Sequence, residues 1–147
     1  MKFLVGLDGS DRAKDVLHCA AAVARKAGAK LILFRAVGVP VEVPSQAYNM
    51  SPNDLGTLLE KHAYDDLLKL AQPLGAELLA GVRVVLGSSW QAICDAAKAE
   101  HASLIVIGSH GYGALDRVLG TTAAKVVNHA DRSVLVVRAG QLLEDVH

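Results

Sequence analysis

Ser103-Leu104-Ile105-Val106-Ile107-Gly108-Ser109-His110-Gly111 joins a run of branched aliphatic residues directly to glycine. Nothing polar interrupts residues 104–107, so the segment does not alternate between a wet and a dry face. A strand reads this way when helices cover both faces of its sheet, which is the situation of a parallel sheet. Residues 103–107 are therefore expected to form a strand and 108–113 a glycine-rich loop.

Segments 2–7, 30–37, 81–86 and 133–138 have the same character, with Leu31-Ile32-Leu33-Phe34 and Val134-Leu135-Val136-Val137 at the centres of two of them. Between them lie segments with helical periodicity. Residues 12–26 repeat Val16, Leu17, Ala20 and Val23, with Ser10 or Asp11 as the expected cap and Ala27-Gly28 as the stop. Residues 51–74 carry Leu55, Leu58, Leu59, His62, Leu67 and Leu70 on one face. Gly87-Ser88-Ser89 leads into a helix over 90–100, and the last helix spans 121–129. Residues 38–50, with Pro40 and Pro44, read as a loop. Strands thus alternate with helices, and successive strands must be joined by crossovers. The expected fold is α/β, a mainly parallel sheet with helices on both faces. No internal repeat or linker divides the chain, so residues 1–147 are expected to form a single domain.

Composition narrows the partners. Hydrophobic residues make up 52% and charged residues 20%, a globular balance. Fifteen acids against fifteen Lys and Arg give zero formal charge, which offers no attraction to nucleic acid or to a membrane surface. No apolar run is long enough to span a bilayer, and the short run at 3–5 reaches Asp8 too soon for a secretion signal. A cytoplasmic protein is expected. Cys19 and Cys94 form no metal or disulfide motif and read as small buried hydrophobes.

In open parallel sheets ligands gather beyond the carboxyl ends of the strands, where the strand order reverses. Three turns have the composition for such a site: 6–10, 36–40 and 108–113. The third is the richest. Gly108, Gly111 and Gly113 fall within six positions, and Gly120-Thr121 stands just before a helix. Glycines let backbone N–H groups approach an anion, and a threonine at a helix start adds a hydroxyl to the free donors of the first turn. Two familiar phosphate motifs are absent. Ala114-Leu115 stands where a phosphate loop needs Lys-Ser/Thr, and Asp116 stands where the dinucleotide fingerprint needs its third glycine.

Val5-Gly6-Leu7-Asp8-Gly9-Ser10, the segment 104–111, and the run from Gly120-Thr121 to Val134-Leu135-Val136-Val137 resemble together the universal stress protein family, over nearly the whole chain. The resemblance implies a five-stranded Rossmann-like sheet in the order 3-2-1-4-5, frequent homodimers and, in one branch, bound ATP. That branch carries Gly-x2-Gly-x9-Gly-Ser/Thr. Gly108, Gly111, Gly120 and Thr121 match it, with eight residues, 112–119, between the last two glycines. The loop is thus one residue shorter than the family pattern.

Carried over by position, the resemblance implies that Asp8 bonds both ribose hydroxyls, that the backbone of Ala36 meets the adenine edge, and that Ile107 lines the base. Gly108 approaches the ribose, and Gly111, Gly120 and Thr121 hold phosphates. Gly6, Leu7, Ser109, His110 and Thr122 complete the nucleotide set. Any Mg or Mn is carried by the phosphates, and no metal-binding side chain is assigned. Gly6 replaces a frequent proline, with little expected consequence. Ser89 replaces another at the start of the third helix, where serine is a good cap. Ser103 replaces a common aspartate.

The implied function is an ATP-binding regulatory protein of the stress response, a sensor or switch acting through partner contacts. Alternatives are a slow ATPase or phosphotransferase, and a ligand-free interaction module. No catalytic residue is assigned, because neither a positioned base nor a lysine clamp is visible. His110 either meets phosphate or faces solvent. His18, His62, His101 and His129 lie in helical segments without metal spacing. Trp90 and Tyr112 have no evident stacking partner, and Asp11, Asp15, Asp65 and Asp66 read as solvated helix positions. With the order 3-2-1-4-5, strand 133–138 is an edge without proline or inward charge, and it is expected to pair with its copy in a homodimer.

Overall fold

The computed structural model describes residues 1–38, 52–87, 89–109 and 119–138. Five strands and four helices follow in the order β1 Lys2–Gly6, α1 Ala13–Ala27, β2 Lys30–Val37, α2 Pro52–Ala71, β3 Leu79–Leu86, α3 Ser89–Ala99, β4 Leu104–Gly108, α4 Thr121–His129 and β5 Ser133–Val137. The sheet order is β3-β2-β1-β4-β5 and every pairing is parallel. This is the doubly wound, Rossmann-like α/β arrangement.

Because side chains alternate across a strand, each aliphatic run feeds both faces. Phe3, Val5, Leu31, Leu33 and Val106 point into one layer with Val16, Leu17 and Ala20 of α1 and Leu67 and Ala71 of α2. Leu4, Ile32, Phe34, Ile105 and Ile107 point into the other with Ile93 and Ala97 of α3 and Ala123 and Val126 of α4. Cys19 packs against the first layer and Cys94 against the second, so the sheet separates them. Burial pushes both thiols above the usual cysteine value, which disfavours the thiolate form.

Several element ends differ from expectation, each for a local reason. Neither Ser10 nor Asp11 caps α1. Arg12 holds the capping position but makes no side-chain capping bond to the helix, while the Ser10 hydroxyl turns to Asp8. Asp11 lies in the turn before the helix. Gly28 ends α1 at φ +70°, as its position suggested. The second helix stops at Ala71 and tightens into a 3-10 turn over Gln72–Leu74, because Pro73 has no N–H to continue it. On α2, His62 is exposed and Ala63 takes the buried position. β3 begins at Leu79. Gly81 lies inside the strand, where the register to β2 slips by one residue at Ala80. Ser89 is already helical and faces Thr122 across to α4.

His101 also departs from expectation. It is not helical but sits at φ +54° just beyond α3, with its N–H bonded to Lys98 and that of Ala102 to Ala97. This is a Schellman cap with histidine where glycine is usual. Arg132 braces the corner, donating to the Ala97 and Ala102 carbonyls at 2.9 and 2.8 Å and gripping Asp131 at 2.8 and 3.1 Å. Hydrogen bonding from Arg132 holds the Asp131 carboxyl below the usual aspartate value. Its contribution is therefore complete above the usual range and is lost as pH falls through the depressed value. We expect Arg132→Ala to lower unfolding free energy by about 1.5–3 kcal/mol, the scale of bonds from a charged donor. Urea denaturation measures this, and a loss below ~0.5 kcal/mol would mean water replaces the brace.

Candidate functional site

The two central strands end level with one another, since Gly6 of β1 registers with Ile107 of β4. From there the chain leaves in opposite directions, into α1 on one face and toward α4 on the other. The crevice between those departures is where a doubly wound sheet binds its ligand. It holds a cavity of about 430 Å³.

Its floor is apolar, made by Gly6, Phe34, Ala36, Ile93 and Ile107. A Cβ on Gly6 would lie 3.1 Å from Ile107 Cγ2 and 3.2 Å from Ile93 Cδ1. A side chain at Gly6 would thus require these two isoleucine side chains to give by a few tenths of an ångström. Leu7 extends the ladder one step past β1, its N–H 2.8 Å from the Phe34 carbonyl, and so carries Asp8 to the rim.

On the α1 side stand Asp8, Ser10, Arg12, Ala13 and Val16. The Ser10 N–H lies 2.9 Å and its hydroxyl 2.5 Å from Asp8 Oδ1. Asp8 and Arg12 supply the charges among the described lining residues, one of each sign.

The opposite wall is built by Gly108, Ser109, Gly120, Thr121, Thr122 and Ala123, with Ser89 of α3 beside them. Ser109 is buried and bonds through its backbone on both sides, its N–H to Val137 at 2.8 Å and its carbonyl to the Gly120 N–H at 2.7 Å. That second bond ties residue 109 to residue 120 across the glycine-rich segment. It also means that Gly120 spends its own N–H inside the protein. What Gly120 gives the cavity is the lack of a side chain, while the donors of the first turn are those of Thr121 and Thr122. The helical ladder begins only with Ala124, whose N–H bonds to Gly120 at 2.9 Å. The hydroxyls of Ser89 and Thr122 lie 3.4 Å apart, joining the first turns of α3 and α4. Behind this wall Trp90 does have a partner: its ring lies 4.7 Å from that of His129, with Lys125 Nζ 5.8 Å from its centroid.

Every described residue of the expected nucleotide set lines this one cavity: Gly6, Leu7, Asp8, Ala36 and Ile107, then Gly108, Ser109, Gly120, Thr121 and Thr122. His110 and Gly111 lie outside the described residues. Sequence reasoning reached Ser10 only as part of the candidate turn 6–10, and did not assign Arg12, Ala13, Val16, Phe34, Ser89, Ile93 or Ala123 to the site. The crossover rule could have found two of them, because it puts α3 and α4 on the same face and so brings Ser89 and Ile93 beside Thr122. Among the other histidines, His18 and His62 are exposed, and the described residues contain no cluster of three metal-ligating side chains. Asp66 is not merely solvated but pairs with Arg35 at 3.6 Å. Among the described residues no helix is long and apolar enough to cross a membrane.

The sequence pattern of the universal stress protein family matches residues 1–138. A Thermus aquaticus universal stress protein, from the QAH/OAS sulfhydrylase 3′ region, is 34% identical over 143 residues, covering 92% of this chain and 96% of its own. The universal stress protein UspA of Lactobacillus plantarum superposes with a TM-score of 0.75 at 28% identity, over 94% of this chain and 97% of its own. A universal stress protein crystallised in complex with cAMP shares the fold, with a TM-score of 0.66 at 23% identity over 94% and 96% of the two chains. From residue 1 to residue 138, then, the chain belongs to the universal stress protein family.

Proposed function

We propose that the chain is one nucleotide-binding domain, residues 1–147, which binds ATP and acts as a regulatory switch through partner contacts. One observation carries this reading: a single cavity at the β1/β4 crevice combines an apolar floor, a carboxylate rim and a first helical turn of donors. Those three parts match a base, a sugar and phosphates. The cAMP complex of a protein with this fold supports adenine as the base. In this reading Ile107 lines the adenine, the Ala36 backbone meets its edge, and Asp8 with Gly108 receives the ribose. Thr121 and Thr122 donate to phosphates, Gly111 and His110 join them, and any Mg or Mn rides on the phosphates. The reading places the protein in the cytoplasm, without direct contact with nucleic acid or membrane, in keeping with its zero formal charge.

Protein purified without added nucleotide, then denatured, should release an adenine nucleotide identifiable by chromatography and mass. Asp8→Ala should weaken ATP binding by about tenfold or more, the effect of one lost bond to a charged group. An unchanged dissociation constant would remove Asp8 from the ribose. ATP turnover should stay well below the ~1 per second of ordinary enzymes. A faster rate lost in Thr121→Ala would favour the ATPase reading.

The reading includes a homodimer through β5. This strand lies at the sheet edge, with Val134, Leu135 and Val136 half-buried and no proline or charge between Ser133 and Val137. A second copy running antiparallel would satisfy its outer backbone groups. Sedimentation should find a dimer at micromolar concentration and a folded monomer for Val136→Lys. A monomeric wild type at high micromolar concentration rules the dimer out.

A further inference from the structure

The Asp8 carboxylate is held from one side. Both donors on Oδ1 belong to Ser10, the N–H at 2.9 Å and the hydroxyl at 2.5 Å. No other described residue bonds this carboxylate. Two donors from one residue fix the orientation of the carboxyl plane, because rotation about either side-chain bond breaks at least one of them. Ser10 is itself fixed, its carbonyl accepting the Ala13 N–H at 3.2 Å as α1 begins. On the other side, Leu7 ties the same turn to β2. The carboxylate is thus referenced to the sheet and to the helix at once, and both Asp8 and Ser10 line the cavity.

We propose that Ser10 is the positioning residue of the site: it occupies Oδ1 of Asp8 and leaves Oδ2 as the acceptor offered to the ligand. This rests on the nucleotide reading above and refines it. Asp8 then receives one ribose hydroxyl through Oδ2, where the family resemblance implied that it takes two. A carboxylate already oriented loses no rotamer freedom on binding, which is the advantage Ser10 provides. The hydroxyl must donate for this, so Thr can replace Ser while Ala cannot.

The test is a double-mutant cycle read by titration calorimetry with ATP, 2′-deoxyATP and 3′-deoxyATP. Ser10→Ala should weaken ATP binding about three- to tenfold, the cost of ordering one polar side chain, and Ser10→Thr should return it to within about twofold of wild type. In an Asp8→Ala background, Ser10→Ala should change nothing, whereas a serine acting through general structure would still cost affinity. Asp8→Ala should abolish the penalty for removing one of the two ribose hydroxyls and leave the other. The proposal is overturned if Ser10→Ala binds ATP like wild type, if its cost persists without Asp8, or if both hydroxyl penalties vanish together. These outcomes leave the nucleotide reading standing. A wild type that binds none of the three nucleotides removes that reading, and this one with it.

Discussion

On the proposed ATP reading, Gly120→Val is expected to lower ATP affinity at least about tenfold, some 1.4 kcal/mol, while the melting temperature moves by only a few degrees. Gly120 stands just before α4 at φ −61° and ψ 162°, an extended conformation open to any residue. Its N–H and carbonyl are both bonded within the protein, to Ser109 and from Ala124, and valine keeps both bonds. The backbone therefore tolerates the change, apart from the small preference of glycine over valine before a helix. The cavity does not. Gly120 lines the cavity together with Thr121 and Thr122, so a branched side chain there is expected to take room beside the first-turn N–H groups that a phosphate would reach. Calorimetry with ATP separates this loss from any change in fold. An unaltered dissociation constant would put the phosphates elsewhere.

Phe34→Ala has the largest expected effect on stability, a loss of about 3–5 kcal/mol. Phe34 is fully buried in the second strand, in register between Gly6 and Arg83, and packs in the layer formed by α3 and α4. It also lines the cavity. Truncation leaves a void beside an existing cavity, and the isoleucines at 93 and 107 can close only part of it, since they already crowd Gly6. Urea denaturation gives the value. A loss below ~1 kcal/mol would mean that the floor collapses freely.

What the sequence revealed divides along physical lines. A mostly aliphatic run stands out, so β2 falls at 30–37, its expected limits, and α4, opening at Thr121 after Gly120, falls at 121–129 as expected. Small residues hid the details. Ala63 was passed over for the bulkier His62 on α2, although it continues the four-residue series from Leu55 and Leu59 to Leu67. Gly81 read as the start of a strand, when it follows a slip in the register. The rim of the site was visible because glycine, aspartate and threonine are conspicuous after a strand. Phe34 and Ile93 were not, because each reads as ordinary core, and only the sheet order turns them toward the crevice. The Ser10 bond to Asp8 was hidden for another reason. A serine before a helix has two uses for its hydroxyl, and composition does not say which one is taken.

The central position of β1 has a consequence for synthesis. Of the five strands β1 is made first, yet one of its two neighbours, β4, is made about a hundred residues later. Translation at roughly 5–20 residues per second leaves an interval of about 5–20 s. Through that interval β1 can pair with β2, while the backbone groups along its opposite edge, which later meet β4, have no strand to bond. The nascent chain thus carries an unpaired strand edge for seconds, the condition under which strands pair with the wrong chain. The ligand crevice is shaped by the same delay. One wall, with residues 6–16, is made early and the other, with residues 108, 109 and 120–123, about a hundred residues later, so the cavity exists only once both have been made.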